Sequence, residues 1–229
     1  MNRDVSGTGG AARPVRERGT SRRVKSRFRL ISGSIATAAL LLAMALDTKV
    51  VKIGSAAAIQ PGVFSPATFG ASEYPKVKAE IEKRAVDAAT LAQALAEDKQ
   101  AAGKRYGVAT NSGFEFSVKF TGVAGKPDFG VYPVAIEGAP KPLTIHFQTG
   151  PAIYGMDLRD ASGIISFGQF VNQIDYQNAG GALNKEMKKQ VMAKIDAEKL
   201  EGKTISVVGA FKLGKPDDWM VTPVRLDVK

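Results

Sequence analysis

The stretch GFEFSVKFTG, residues 113–122, decides the fold that the sequence predicts. Its three phenylalanines and one valine occupy every second position, and Glu115, Ser117 and Lys119 lie between them. Because successive side chains of a β-strand point to opposite faces, this alternation predicts a strand with one buried and one solvated face. Two further strands are predicted over 132–136 and 143–147, each after a turn that contains Gly and Pro. Together the three strands predict an antiparallel meander.

A long helical segment follows this meander. It begins at Ser166, which has capping-box spacing to Gln169. Apolar residues then recur at helical spacing as far as Ile195. The pair Gly180-Gly181 is expected to kink or divide this helix, because glycine is a poor helix former.

Alternation with a period of two returns after the helix, over 205–213 and 220–228. Five short strands with a helix between the third and the fourth is the element order of an OB-type barrel. The same pattern is compatible with a small open α+β sheet. We predict an α+β fold in which residues 108–229 form an OB-like, small antiparallel β-barrel, with an inserted helix over 166–197.

Helical patterning also precedes the first strand. Tyr74 and Val77 begin an apolar stripe at intervals of three and four residues, and Asp87 is a predicted N-cap for a second amphipathic helix. These helices define a predicted helical subdomain over 73–107. The segment before it, 47–72, is punctuated by Gly and Pro and is predicted to be an extended linker.

An uncharged apolar run, LISGSIATAALLLAMAL (30–46), follows directly on a basic segment. Residues 1–30 hold nine Lys or Arg and two acidic residues, a net charge of +7, which leaves +3 for the rest of the chain. Basic residues beside an apolar helix remain on the cytoplasmic side of the membrane. We predict that 1–28 is a disordered basic cytoplasmic tail and that 29–46 is a transmembrane anchor or a signal segment.

Anchor and cleaved signal are both compatible with this run. Its 17 residues give a helix of roughly 25 Å, at the lower limit for a hydrocarbon core of about 30 Å. Ala43-Met44-Ala45 fits a signal-peptidase site, whereas the preceding segment is long for a signal peptide. We favour a single-pass anchor in a bacterial inner membrane, with a cytoplasmic N-terminus and a periplasmic C-terminal domain.

The composition excludes several classes of function. The nearly neutral exported part argues against a nucleic-acid partner, because such proteins carry strong positive patches. Cysteine is absent, which excludes thiol catalysis, thiolate metal sites and lipid attachment to a cysteine. No phosphate-binding glycine loop, dinucleotide fingerprint or metal-ligand spacing is present, so we expect neither a cofactor nor a metal.

Two groups of residues are candidates for a binding site. Asp157, Arg159 and Asp160 are predicted to lie in a loop before the inserted helix. An arginine fork between two carboxylates can orient a polyol or a carboxylate through bidentate hydrogen bonds. The alternative, which we favour, is a structural ion pair that ties the loop to the barrel.

The second group lies at the start of the inserted helix and comprises Asn172, Gln173, Asp175 and Tyr176. Amides beside an aromatic ring are typical of sugar recognition, because they supply hydrogen bonds to hydroxyl groups and a flat apolar surface. The alternative is a helix end whose amides satisfy backbone groups of the neighbouring barrel.

Four segments of the chain carry a resemblance to a known family. They are TGPAIYGMDLRDASGIISFGQFVNQIDYQNAGGALN (149–184), VTPVRLDV (221–228), DTKVV (47–51) and AEDKQAAGKRYGV (96–108). These segments resemble the domain-of-unknown-function family numbered 2291, which is described as predicted periplasmic lipoproteins. The resemblance implies a periplasmic location and an OB-like barrel with a helical subdomain. Members often carry a lipobox cysteine after the apolar segment, where this chain has Leu46-Asp47-Thr48, and the difference favours a transmembrane anchor.

Two functions, beside a purely structural role in the envelope, remain open on the sequence alone. The first is a non-catalytic binding or accessory module of the envelope, with the inner membrane as one partner. The resemblance suggests a sugar-uptake ABC transporter as a second partner. The other function is a glycan- or peptidoglycan-directed hydrolase, with an acid/base pair drawn from Asp157, Asp160 and Asp175.

Overall fold

The computed structural model describes residues 37–47, 63–136, 138 and 143–229. The chain divides into two compact units, Met1–Ala58 and Ile59–Lys229. In the first unit the described residues form one helix, α1, over 37–47. Among the described residues, no helix combines the length and the apolar character that crossing a membrane requires.

Part of the predicted N-terminal organisation lies outside the described residues. This holds for the basic tail over 1–28, for positions 29–36 of the predicted anchor, and for positions 48–62 of the predicted linker. Of the anchor, 37–46 are described and helical.

The second unit is a mixture of helices and strands. Its α-helices are α2 (Pro66–Arg84), α3 (Ala88–Glu97), α4 (Lys99–Tyr106), α5 (Asp157–Ser162) and α6 (Gln173–Gln190). Its strands are β1 (Val86–Asp87), β2 (Gly107–Thr110), β3 (Gly113–Ala124), β4 (Val131–Ala135), β5 (Thr144–Gln148), β6 (Thr204–Lys212) and β7 (Asp218–Val228).

Five of these strands close into a barrel. The neighbours run in the order β3, β4, β5, β7, β6, and β6 pairs again with β3. The β3–β6 ladder extends from Glu115 opposite Lys212 to Val123 opposite Thr204. The β5–β7 pair is parallel, and the other pairs of the barrel are antiparallel. The predicted OB-like barrel is therefore confirmed, and the open sheet is excluded. Two short strands, β1 and β2, flank β3 and were not predicted, because two to four residues show no periodicity.

Aromatic rings fill the barrel. Phe116 on β3 stacks on Phe211 of β6, with ring centres 5.6 Å apart, and Phe211 stacks on Trp219 of β7 at 4.6 Å. Tyr132 and Phe147 form a second stacked pair at 5.3 Å. All five side chains are almost completely buried. Offset aromatic pairs of this kind each add about 1 kcal/mol beyond the burial of their area.

Helices cover one outer face of the barrel. α2 packs on α6 and on strands β3 and β6, and α5 packs on β2, β3 and β6. Residues 115–118 of β3 are buried in succession, so both faces of this strand are covered there. The predicted apolar stripe of α2 is confirmed, because Tyr74, Val77 and Ile81 are completely buried.

The predicted linker over 47–72 is wrong at its end, because α2 already begins at Pro66. Ser65 is its N-cap, and the Ser65 side chain accepts a hydrogen bond from the backbone N–H of Thr68 at 3.4 Å. Proline is favoured at the first helical position, where its missing N–H costs nothing. On the sequence alone, this proline is instead expected to interrupt secondary structure.

The helical subdomain over 73–107 contains more elements than predicted. Asp87 is confirmed as an N-cap, since its carboxylate accepts from the backbone N–H groups of Ala89 and Thr90. A further break occurs at Asp98, which caps α4 in the same way. The predicted second helix is therefore two helices, α3 and α4.

The predicted inserted helix over 166–197 is wrong as a single element. It consists of a 3₁₀ turn (Phe167–Gln169), the helix α6, and a second 3₁₀ turn (Met192–Lys194). Gly180-Gly181 does not divide α6, contrary to expectation. A Cβ atom at Gly180 would collide with Met156, whereas one at Gly181 would meet open space. Gly180 thus permits Met156, the residue before α5, to pack closely against α6.

Candidate functional site

Asp157, Arg159 and Asp160 lie on a helix, so the predicted loop at these positions is wrong. They belong to α5, which ends at Gly163 in the left-handed conformation (φ +70°). Glycine adopts this conformation without a steric penalty and is common after helix C-termini. Six residues are too few for helical periodicity to be visible in the sequence. α5 contacts the barrel strands on one side and α6 on the other.

Arg159 is buried and holds α5 against α6. Its Nε and Nη2 atoms donate to the two carboxylate oxygens of Asp160, at 2.7 and 3.0 Å. Its Nη1 atom donates to the backbone carbonyl of Tyr176, at 2.8 Å. The guanidinium carbon lies 3.5 Å from the centre of the Tyr176 ring, and the Tyr176 hydroxyl donates to Asp160 at 3.1 Å. These contacts are those of a structural ion pair, but the pair ties α5 to α6 rather than a loop to the barrel.

Asp157 has a different environment, in the interface between α5 and the barrel. Its carboxylate accepts a hydrogen bond from the Thr222 hydroxyl at 3.2 Å, and Thr222 accepts one from the Gln148 amide at 3.1 Å. Burial raises the pKa of Asp157 to about 7, and the hydrogen bond from Thr222 opposes this rise. The Asp157 carboxyl therefore holds its proton well above the pH at which an ordinary aspartate releases it.

Glu115 is a second buried acid, on β3. Burial raises the pKa of Glu115 to about 8, and the carboxylates of Asp157 and Asp160 add to the rise. Its Oε2 atom has no hydrogen-bond partner among the described residues. The sequence placed Glu115 on the solvated face of β3, and this is wrong because the helical layer covers that face. The alternation of polar and apolar residues within one strand carries no information about a helix from another part of the chain that packs on that strand.

A cleft of about 670 Å³ lies beside the α5–α6 contact. It is bounded by the β2–β3 turn, by α5, and by the segment that leads into α6. The lining includes exposed amide groups, hydroxyls and aromatic rings. Its side chains at the mouth are Thr110, Asn111, Ser112, Ser166, Phe167, Gln173 and Tyr176.

The structure separates the second group of candidates into two pairs. Asn172 is the N-cap of α6, because its side chain accepts from the backbone N–H of Asp175 and donates to the Asp175 carboxylate, both at 2.9 Å. Both side chains are therefore used within the helix end, but they bond to α6 itself and not to backbone groups of the barrel, as the alternative interpretation had expected. Gln173 and Tyr176 instead line the cleft together with Arg159 and Asp160.

Most residues of the cleft were missed by the sequence reasoning, among them Asn111 and Phe167. Asn111 lies at the tip of the β2–β3 turn, and Phe167 lies in the 3₁₀ turn before α6, where its ring is half exposed. The Asn-Ser-Gly sequence of 111–113 is a turn signal, but it does not reveal what the turn faces. An exposed Phe between a cap residue and a glycine, at 166–168, is the only local hint of a surface role for the ring.

Among the residues that the structure describes, no group of three or more His, Cys, Asp or Glu side chains could hold a metal ion. The single histidine, His146 on β5, has its Nδ1 atom 3.4 Å from an Asp218 carboxylate oxygen. The cleft thus offers amides, hydroxyls, one bidentate ion pair and aromatic rings as its chemical groups.

Comparison with known proteins assigns the chain to a family. The family described as "Predicted periplasmic lipoprotein (DUF2291)" matches residues 36–227. The chain belongs to this family. The resemblance found in the sequence is thereby confirmed, and membership supports a location in the cell envelope. Because the chain contains no cysteine, the usual acceptor for a lipid is missing from it.

A solved structure confirms the fold class. The crystal structure of an OB-fold protein from Thermotoga maritima MSB8 matches with a TM-score of 0.60 and 16% identity, and the match covers 73% of this chain and 99% of that chain. At this level of identity the likeness concerns the fold. Comparison with curated proteins gave no match.

Proposed function

We propose that this protein is a non-catalytic binding module of the bacterial envelope, which holds a small polyhydroxylated ligand such as a sugar in the cleft. The observation that carries the proposal is the pairing of solvent-exposed amides with an exposed ring. Asn111 and Gln173 present amide groups to the cleft, and Phe167 presents its half-exposed ring. Amides bind hydroxyl groups as donor and acceptor, and a ring stacks on the apolar face of a sugar.

The wall behind these groups is rigid. The Arg159–Asp160–Tyr176 contacts fix α5 to α6, so the cleft exists before any ligand arrives. A pre-formed site avoids the entropic cost of ordering side chains on binding. The volume of about 670 Å³ lies in the range of small-molecule sites and accommodates a mono- or disaccharide.

The carboxylates of the hydrolase alternative are given structural roles in this proposal. Asp157 bonds to Thr222, Asp160 bonds to Arg159, and Asp175 bonds to the cap residue Asn172. None of the three is assigned to a reacting group. Turnover of a glycan by the purified protein would favour the hydrolase instead.

Replacing Gln173 with Ala should weaken binding of the preferred sugar about five-fold, because one hydrogen bond of about 1 kcal/mol is lost. Phe167→Ala should have an effect of similar size through the lost stacking surface. The measurement is isothermal titration of the full-length protein with a panel of neutral mono- and disaccharides. Gln177→Ala is the matched control, since Gln177 lies one turn further along α6, exposed and outside the cleft. Equal affinities of the two glutamine variants, or no binding across the panel, would contradict the proposal.

We also propose that the apolar segment 30–46 anchors this module as a single pass in the inner membrane, with the folded domain in the periplasm. The described part of the segment supports this, because it is helical and exposes Leu40, Leu41, Leu42 and Met44 by about 60% each. An anchored module of this kind would act as an accessory of a sugar-uptake transporter.

The full-length chain should therefore stay with membranes that are washed in alkaline carbonate, because about 17 apolar residues are held by the hydrocarbon core. A chain that begins at Ile59, the start of the second compact unit, should be released into the supernatant. Immunoblots of pellet and supernatant measure the difference. Release of the full-length chain would contradict the anchor.

A further inference from the structure

Exposed apolar side chains cluster at one place on the second unit. Among its described residues, ten large apolar side chains are exposed, and five of them fall at Val63 or within 164–174. The other five are spread over β3, β7, two loops and the C-terminal end of the sheet. We call the cluster the apolar patch; its members are Val63, Ile164, Phe167, Val171 and Ile174. Exposed apolar side chains that are concentrated in one region in this way mark contact with another apolar surface.

The patch lies where the segment that follows α1 in the chain enters the second unit. Val63 is the first described residue of the second unit, and the ring of the next residue, Phe64, contacts the ring of Phe170 at 5.4 Å. Phe170 directly precedes Val171, which is 91% exposed. Only 15 residues, 48–62, separate Val63 from the end of α1, so the patch can be no more than roughly 55 Å of chain from the proposed anchor.

The charge of the patch indicates what it contacts. Between Gly163 and Asn178 the only charged side chain is Asp175, and its carboxylate already accepts a hydrogen bond from the side chain of Asn172, the cap of α6. A surface without basic residues gains nothing from anionic lipid headgroups, so contact with a membrane would rest on apolar insertion alone. Val171 and Ile174 project at the N-terminal end of α6, where such insertion needs no rearrangement of the fold.

We propose that the apolar patch rests in the interface of the lipid bilayer to which the chain is anchored. This inference rests on the proposed anchor and adds the orientation of the domain. The other four members of the patch contact the lipid, whereas Phe167 also lines the cleft and keeps its ring for the ligand, so the cleft opens beside the membrane surface. Its ligand is then exchanged at the membrane, where a transport protein can receive it.

The absence of cysteine makes the orientation measurable, because one introduced cysteine carries the only label. Val171→Cys places an environment-sensitive fluorophore in the patch. Phe129→Cys is the matched control, since Phe129 is equally exposed at 91%. Phe129 lies near the other end of α6: Thr149 bonds to the adjacent Gly130, and Lys188 donates to Pro151 at 2.6 Å. Lys188 lies fourteen residues after Ile174, roughly 21 Å along the helix.

The experiment uses the full-length labelled chain in phosphatidylcholine vesicles, with and without lipids that carry a quencher at a shallow depth. The fluorophore at position 171 should emit at a shorter wavelength when vesicles are present. The quencher should remove most of this emission, at low and high salt alike. The label at position 129 should change little. If the two labels emit equally in chains that stay with carbonate-washed vesicles, the proposed contact between the patch and the lipid is wrong. The proposed anchor would not be affected by that result. Release of the whole chain by carbonate would overturn the anchor and this inference together. Neither outcome depends on sugar binding in the cleft.

Discussion

Replacing Glu115 with Gln should raise the midpoint of thermal unfolding by at least about 5 °C at pH 9 and leave it nearly unchanged at pH 5. The reason is the burial of the Glu115 carboxyl between β3 and the helical layer, which raises its pKa to about 8. Asp157 and Asp160 add to the rise, while Lys212 and Arg159 oppose it. Glutamine resembles the protonated acid in shape and carries no charge, so it avoids the cost of a buried anion.

The direction follows from proton binding in the two states. An unfolded glutamate releases its proton near pH 4.5, whereas the folded protein retains it up to about pH 8. Between these values the folded state binds more protons than the unfolded state, so stability falls as the pH rises. The loss across this window is on the order of 5 kcal/mol, at roughly 1.4 kcal/mol for each step of pH. Asp157, with its pKa raised to about 7, causes a similar decline at lower pH and remains in the variant.

Thermal unfolding followed by circular dichroism from pH 4.5 to pH 9 measures this effect. Glu201→Gln is the control, because Glu201 is an exposed residue of the turn before β6. The control should have the same pH dependence as the unchanged protein. A Glu115→Gln profile parallel to that of the unchanged protein would show that Glu115 is charged in the folded state.

Replacing Arg159 with Ala should lower the unfolding midpoint by about 6–12 °C. Removing one partner of a buried ion pair costs about 3 kcal/mol here, and such a cost shifts the midpoint of a domain of this size by 2–4 °C per kcal/mol. The variant loses two hydrogen bonds to Asp160, one to the Tyr176 carbonyl, and the stacking on the Tyr176 ring. Arg159→Lys should recover little, since an ammonium group cannot form the fork.

Two comparisons separate the ion pair from a general loss of charge. Arg225→Ala should be nearly neutral, because Arg225 is half exposed and its ion-pair distances are 3.6 Å. The double variant Arg159→Ala with Asp160→Ala should be more stable than Arg159→Ala alone, since no unpaired carboxylate remains. If Arg159→Ala left the midpoint unchanged but abolished sugar binding, Arg159 would be a ligand-binding residue rather than a structural one.

The barrel could be predicted from the sequence because the residues along its strands alternate between two sides. One side faces the barrel interior, and the other faces solvent or the helices. Phe116, Val118 and Phe120 point into the barrel, and the positions between them carry polar residues. The OB-type barrel then followed from the position of the helix between the third and fourth predicted strands. The cap Asp87 was also visible in the sequence, because a capping side chain bonds to backbone only two or three residues away. Asn172 was considered only as a binding-site candidate, and its role as the cap of α6 was not predicted.

The candidate site was harder to predict, because its residues meet only through tertiary contacts. Arg159 and Tyr176 were both singled out, yet nothing in the sequence showed that the guanidinium stacks on that ring. Asn111 joins them from a turn that is about fifty positions earlier in the chain. Burial of Glu115 depends on α2, which precedes β3 in the chain, and on α5, which follows it. A local sequence pattern does not show that these helices cover the strand.

The β3–β6 ladder has a consequence for how the chain folds. Glu115 lies opposite Lys212, and the other strands of the meander, β4 and β5, come between them in the chain. While the polypeptide is still emerging, β3 can pair with its local neighbours but keeps one open edge until residue 212 is available. Open strand edges attract other chains, and long-range pairing of this kind is slow. The ring closes only when β7, the last strand in the chain, pairs with both β5 and β6, so closure requires the C-terminal residues.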